Sequence, residues 1–301
     1  MNSQSEARGK SAAEPDQTHV LMRSARKPDL TLRYGDQPDH VVDVHLPPTA
    51  VLSDEEIGSR KFFTLFIHGG FWKPEYDRAH TAPLAEALAA AGFVVGVPEY
   101  RRSAKVGGGW PGTFDDIAAA VDKVPSLIAD ATNGLVDPCS FVLAGHSAGG
   151  HLALWAASRH HLPAGSPWRT EGPAGYGVVA LAAVSDLTAC SRLNLGNGAA
   201  DAFMGGGPDR HPDRYAAADP AALLPVNHRV RLIHGEQDDL VPAEMSAEYA
   251  SRARAAGDAD VECVLLPGSG HFEVIDPLSA AWPAVADAFR LVQPPALHAG
   301  Q

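Results

Sequence analysis

The 301-residue sequence is poor in cysteine: Cys139, Cys190 and Cys263 lie far apart, and no C-x-x-C spacing occurs. That suggests neither a disulfide framework nor a zinc site. Reduced thiols in a cytoplasm are the expectation, since disulfides are rare there. No stretch approaches the ~20 consecutive apolar residues that a membrane helix needs. Met1 to Lys10 is polar and lacks the apolar segment of a signal peptide. The expectation is therefore a cytoplasmic protein without a membrane partner. Basic residues are also scarce, 24 against 36 acidic ones, for a formal charge of −12, and no Lys/Arg run exceeds pairs such as Arg101-Arg102. Such a surface repels a phosphate backbone and argues against nucleic acid as a partner. What remains, 45% apolar and 20% charged residues, is the composition of an ordinary globular enzyme.

Residues 1–28 mix Ser, Ala, Glu, Asp, Lys and Arg without an apolar period and read as a flexible arm before a single domain over 29–301. Leu30 to Tyr34 and Val41 to Leu46 alternate as two antiparallel strands, closed by Pro47-Pro48, which cannot continue a ladder. From Phe62 the rhythm changes. Phe62 to Ile67, Phe93 to Val97, Ser140 to Ala144, Val178 to Val184, Val230 to Ile233 and Val261 to Leu265 are short apolar runs, as strands covered on both faces should be. Helical patterns separate several of them: Ala82 to Ala91, a helix near Asp115 and Asp116 capped by Thr113, Gly149 to Arg159, Ala243 to Ala255, and Pro277 to Val292. Alternating strands and helices predict a mostly parallel sheet with helices on both faces and an antiparallel N-terminal edge. Residues 185–229, rich in Gly, Pro, Ala and Asp, break the rhythm. They are expected to form a lid over the strand ends, with few buried anchors.

Gly145-His146-Ser147-Ala148-Gly149 fits G-x-S-x-G, directly after an apolar strand and directly before a helix. Such a turn strains its central residue, demands small neighbours, and aims a hydroxyl and a helix N-terminus at one point. Ser147 is the candidate nucleophile. His68-Gly69-Gly70-Phe71-Trp72 follows another strand, and its glycines let backbone N–H groups approach a developing oxyanion. The amides of Gly70, Phe71 and Ala148 are the candidates, with His68 bracing the loop. A serine needs an imidazole to take its proton. His271, between the last strand and the final helix, is best placed. His146 and His151 read as packing or solvent residues, and His160-His161 as a helix terminus without a metal partner. The carboxylate that orients the base is Asp238 or Asp239, after the strand Val230 to Ile233; Asp186 is the competitor. Gly107, Gly109 and Gly112 satisfy G-x-G-x-x-G, but Pro111 and the absence of a following acidic strand end exclude a dinucleotide site. No cofactor and no metal are expected.

These residues resemble the α/β-hydrolase superfamily over about residues 60–292. His68 to Trp72 is similar to the H-G-G-Y/F-W loop of kynurenine formamidases and related esterases, with Phe71 where many of those carry Tyr. Gly145 to Gly150 with the D-x-x-V-P run Asp238 to Pro242 is similar to the catalytic domain of prolyl oligopeptidases, without the extra domain that precedes it there. The resemblance implies the order Ser147, Asp238, His271 for nucleophile, acid and base, and so favours Asp238 over Asp239. It also implies cofactor-free hydrolysis of esters or amides. The expectation is a serine carboxylesterase or arylformamidase-like hydrolase acting on a small ester or amide, with Trp72, Trp110 and Phe272 lining an aromatic pocket. The alternative is an acyltransferase that passes the acyl group to an alcohol, amine or carrier. Homo-oligomerisation is left open.

Overall fold

The apolar runs each sort into two faces, and that sorting builds the molecule. A computed structural model of the chain describes residues 17–48 and 60–293. Its strands are β1 (Leu30–Arg33), β2 (Val41–His45), β3 (Lys61–Ile67), β4 (Val94–Pro98), β5 (Val136–His146), β6 (Gly177–Leu181), β7 (Arg229–Gly235) and β8 (Val261–Leu266). They form one sheet in the order β1-β2-β4-β3-β5-β6-β7-β8. β1/β2 and β2/β4 pair antiparallel; every other pair is parallel. Successive side chains on a strand point to opposite faces. Phe63, Leu65, Ile67, Leu143, Val178, Ala180 and Leu232 accordingly enter one core, while Phe66, Val142, Ala144, Val179, Leu181 and Ile233 enter the other.

Helices α1 (Ala82–Ala90) and α8 (Trp282–Leu291) cover the second core. Helices α2 (Gly112–Ala131), α3 (Ala148–Ala157) and α7 (Ala243–Ala255) cover the first. The sheet and its two helical layers agree with the sequence expectation. Boundaries shift in detail. Helix α2 begins at Gly112, with Pro111 rather than Thr113 as its flanking residue. The Thr113 hydroxyl instead donates to Arg101 O at 2.5 Å, tying the helix to the end of β4. Helix α8 begins at Trp282, not Pro277; a short 3-10 turn, Glu273–Ile275, occupies part of the span before it.

Residues 185–229 are not an irregular loop. They carry α4 (Leu187–Arg192), α5 (Ala199–Met204) and α6 (Pro212–Ala218). Nor are anchors few, because Leu187, Cys190, Phe203, Met204 and Tyr215 are buried. Beneath them the buried Asp219 accepts hydrogen bonds from the amides of Leu187, Thr188 and Ala221 and from the Thr188 hydroxyl. Residues 1–16 of the expected arm lie outside the described residues, as do 294–301 of the expected domain. Residues 17–28 are not loose: Gln17–Met22 forms a 3-10 turn, Val20 enters the second core, and Arg23 pairs with Asp276 at 2.6 Å.

Candidate active site

Strand β5 runs straight into α3, and Ser147 is the residue at the corner, with φ 56° and ψ −119°. Non-glycine residues adopt such a conformation only where their surroundings impose it, at a cost of order 1–3 kcal/mol. The surroundings here are specific. Ser147 N donates to Leu181 O at 2.8 Å, and Ser147 O accepts from Val184 N at 3.1 Å, so the end of β6 and the residues after it hold the corner from both sides. A β carbon at Gly145 would lie 2.2 Å from Gly149 O, and one at Gly149 would lie 2.0 Å from Ile67 O. The two glycines are therefore required for β5, α3 and the end of β3 to meet. The serine is almost wholly enclosed, at 1% exposure.

The end of β3 delivers the loop His68–Trp72. Gly70, Phe71 and Trp72 have φ values of 105°, 49° and 54°, a strained run in which two residues are not glycine. Several contacts hold it. His68 donates through Nε2 to Glu99 Oε1 at 3.0 Å, and the Tyr100 hydroxyl donates to His68 O at 2.9 Å. Burial by itself would raise the Glu99 carboxyl, but His68, Arg102 and the Tyr100 amide outweigh it and hold the group down to about 2. A carboxylate thus stays charged beneath the loop. Gly69 comes close to the serine: a β carbon there would lie 3.1 Å from Ser147 Cβ and 2.7 Å from His146 O. Sequence reasoning had passed over Gly69 in favour of Gly70 and Phe71. Ala148 is the first residue of α3, so its N–H has no acceptor within the helix.

On the other side of Ser147 come the ends of β7 and β8. A β carbon at Gly235 would lie 2.2 Å from Ser269 O, and Gln237 N donates to Ser269 O at 2.8 Å. This contact presses together the loops that carry Asp238 and His271. His271 donates through Nδ1 to Asp238 Oδ2 at 2.6 Å. Asp238 Oδ1 accepts from the amides of Leu240 and Val241 at 2.9 and 2.8 Å. Burial works to raise the Asp238 carboxyl, but hydrogen bonds from His234, His271 and the Val241 amide hold it far below the ordinary carboxylate range. Asp239 is exposed. Asp186 caps α4 through Ala189 N and pairs with Arg252 at 2.8 Å, so it serves the 185–229 segment.

Two histidines enter the site that the sequence had not assigned to it. His234 donates through Nε2 to Asp238 Oδ2 at 3.0 Å, and the Ser246 hydroxyl lies 2.7 Å from its Nδ1. The i, i+4 spacing of His234 and Asp238 across a strand end was the available signal. His146 donates through Nε2 to the backbone carbonyl of His271 at 2.9 Å.

The aromatic residues divide. Phe272 is half-buried, with its ring 5.1 Å from that of His271. Trp72 is fully buried, stacked on Phe203 at 4.6 Å and meeting His151 edge-on, so it packs the core and does not face a substrate. Trp110 lies against Trp168 and Phe114, also as packing. The glycines around Trp110 allow close approach: a β carbon at Gly109 would meet Phe203 O at 2.8 Å, and one at Gly112 would meet Gly107 O at 1.7 Å. Among the described residues, no group of histidine, cysteine and carboxylate side chains could hold a metal ion. No described helix is long and apolar enough to cross a membrane.

Known proteins share the family and the fold. Residues 51–252 match the BD-FAE family model. Esterase LipC of Mycobacterium tuberculosis is 28% identical over 258 residues, covering 81% of this chain and 59% of the relative. Esterase LipQ of the same organism is 27% identical over 71% of this chain and 51% of its own length. The chain thus spans little more than half the length of these curated relatives. Among solved structures, a truncated carbohydrate esterase from gut microbiota superposes with a TM-score of 0.70 at 21% identity, over 89% of this chain and 99% of that one. Esterase 2 of Thermogutta terrifontis gives a TM-score of 0.65 at 22% identity, over 86% and 91%. The fold is that of the α/β-hydrolases.

Proposed function

Because the chain belongs to the BD-FAE family, we propose that it is a carboxylic ester hydrolase working through an acyl-enzyme on Ser147. One observation carries the reading: a strained, enclosed serine at a strand–helix corner whose neighbour His146 hydrogen-bonds the backbone of His271, itself hydrogen-bonded to a buried carboxylate. His271 Nδ1–H is committed to Asp238, which leaves Nε2 as the basic nitrogen. In the forward step Ser147 Oγ attacks the ester carbonyl and passes its proton to Nε2. Asp238, held ionised, stabilises the imidazolium. The oxyanion forms against the Ala148 amide and the amides of the Gly69–Phe71 loop, which are fixed before the reaction and need no reorganisation. The leaving alcohol takes the proton from His271, and water repeats the sequence to release the acid.

An ester is favoured over an aryl amide or formamide. The relatives named above are esterases, and T. terrifontis esterase 2 has been captured with propionate bound and phosphorylated by paraoxon. The test is turnover of p-nitrophenyl acetate, butyrate and octanoate beside acetanilide and formanilide, in wild type and Ser147→Ala. Short esters should exceed the anilides by at least 100-fold, and Ser147→Ala should abolish turnover. Faster hydrolysis of formanilide than of the esters would overturn the ester reading.

A further inference from the structure

The buried imidazole of His146 joins the two halves of the site. It is 1% exposed and lies between the base and the anion loop. On one side its Nε2–H donates to His271 O at 2.9 Å, and its ring centroid lies 4.6 Å from that of His271. On the other, its Nδ1 would sit 3.1 Å from a β carbon on Gly69. Nδ1 itself is buried without a hydrogen-bond partner, so the ring is fixed by a single polar contact, the one to the His271 backbone. Burial first, and His271 second, push its protonation well below the ordinary imidazole range, so the ring stays neutral, with its proton free to settle on Nε2.

We infer that His146 is a positioning residue: its Nε2–H fixes the backbone of His271, and so aims the imidazole of the base at Ser147, the next residue in the chain. This deepens the proposed function and rests on His271 being the base. The reasoning is geometric. His271 sits on a loop between β8 and the Glu273–Ile275 turn, held laterally by Asp238. Gln237 N–Ser269 O and Gly270 N–Glu273 Oε2 hold the loop on either side of His271, but neither engages the backbone carbonyl of His271 itself. The His146 contact fixes that carbonyl, and it originates in the residue adjoining the nucleophile. Misplacement by ~1 Å at a reacting centre can cost on the order of 100-fold in rate. A ring retained only for packing would do its work through volume, not through a proton donor.

Two unbranched replacements of similar size separate these roles. His146→Gln keeps an N–H near the Nε2 position; His146→Met fills similar space without a donor. Folding is checked by circular dichroism and thermal melts, and kcat and KM are measured on p-nitrophenyl acetate. His146→Met should lose about 10- to 100-fold in kcat with KM within twofold of wild type, and His146→Gln should recover to within about fivefold of wild type. If His146→Met does not fold, His146→Phe, which keeps the ring volume and removes the donor, takes its place with the same expectation. Equal rates for the donor and non-donor variants, or wild-type kcat without a donor, would overturn the positioning role. His271→Ala separates the two layers of the argument: if it loses turnover while the Gln and Met proteins behave alike, the positioning idea alone fails. Retained turnover in His271→Ala removes the base assignment itself.

Discussion

The side chain on which most of the site's hydrogen bonds converge is Asp238. Its Oδ2 accepts from two histidines and its Oδ1 from two backbone amides, so no position around the carboxylate tolerates a donor. Asp238→Asn must place an amide NH2 against either pair. With the NH2 toward His271, the Nδ1–H loses its acceptor, the tautomer that leaves Nε2 basic is no longer favoured, and kcat should fall by about 10⁴. Asp239→Asn, on an exposed residue, should stay within a few-fold of wild type. A kinetic comparison in which Asp239→Asn is the crippled variant would move the acid by one residue. The sequence could not choose between the neighbouring aspartates except through a family resemblance. Nor could it see that His146 belongs to the site, because that ring gains its role only when separate strand ends meet; for His234 only the i, i+4 spacing to Asp238 was a local signal. Gly145, Ser147 and Gly149 were legible, since strain at a strand–helix corner leaves a local signature of small residues.

Among the elements, the strands were legible and the lid segment was not, for the same physical reason. A strand buried on two faces announces itself by an unbroken apolar run. Helices α4, α5 and α6 have only six or seven residues each, too short for a 3.6-residue period to stand out from Gly, Pro and Ala. Their anchors are also remote. Phe203 stacks on Trp72 of the anion loop, Phe203 O accepts from Trp110 N at 2.9 Å, and Lys73 Nζ donates to Gly196 O at 2.8 Å. On the other side, His151 and Trp155 of α3 donate to the carbonyls of Ala218 and Ala217. The segment is thus part of the wall that keeps Phe71 and Trp72 in their strained conformations. Phe203→Ala should destabilise the protein by about 3–5 kcal/mol, as buried aromatic truncations do. It should also lower kcat on short esters, because the anion loop loses its backing. A denaturant titration showing a loss under 1 kcal/mol, with unchanged kcat, would mean that the segment is an independent flap.

For the whole molecule, buried histidines set a pH dependence of stability. Burial pushes the wholly enclosed His151 down to about 4 and, with His271 second, drives the equally enclosed His146 well below the ordinary imidazole range. The unfolded chain binds these protons near pH 6.5, whereas folded His151 refuses its proton until about pH 4 and folded His146 refuses its own across the ordinary imidazole range. Their contribution is therefore complete above about pH 6.5 and is lost as the pH falls toward 4, with roughly two protons taken up on unfolding near pH 5. Thermal midpoints should decline between pH 6.5 and 5, before carboxylates with depressed values begin to contribute; a flat profile across that window would contradict the burial of these rings. The enclosed serine turns the same compactness to chemical use, since water is excluded where charge develops. The most direct test of that chemistry is intact-mass spectrometry after reaction with a fluorophosphonate, followed by peptide mapping. The account predicts one adduct, on Ser147, that forms in step with the loss of esterase activity, is absent in Ser147→Ala and is strongly slowed in His271→Ala. Loss of activity with the adduct on another residue, or full turnover by a protein labelled at Ser147, would contradict it.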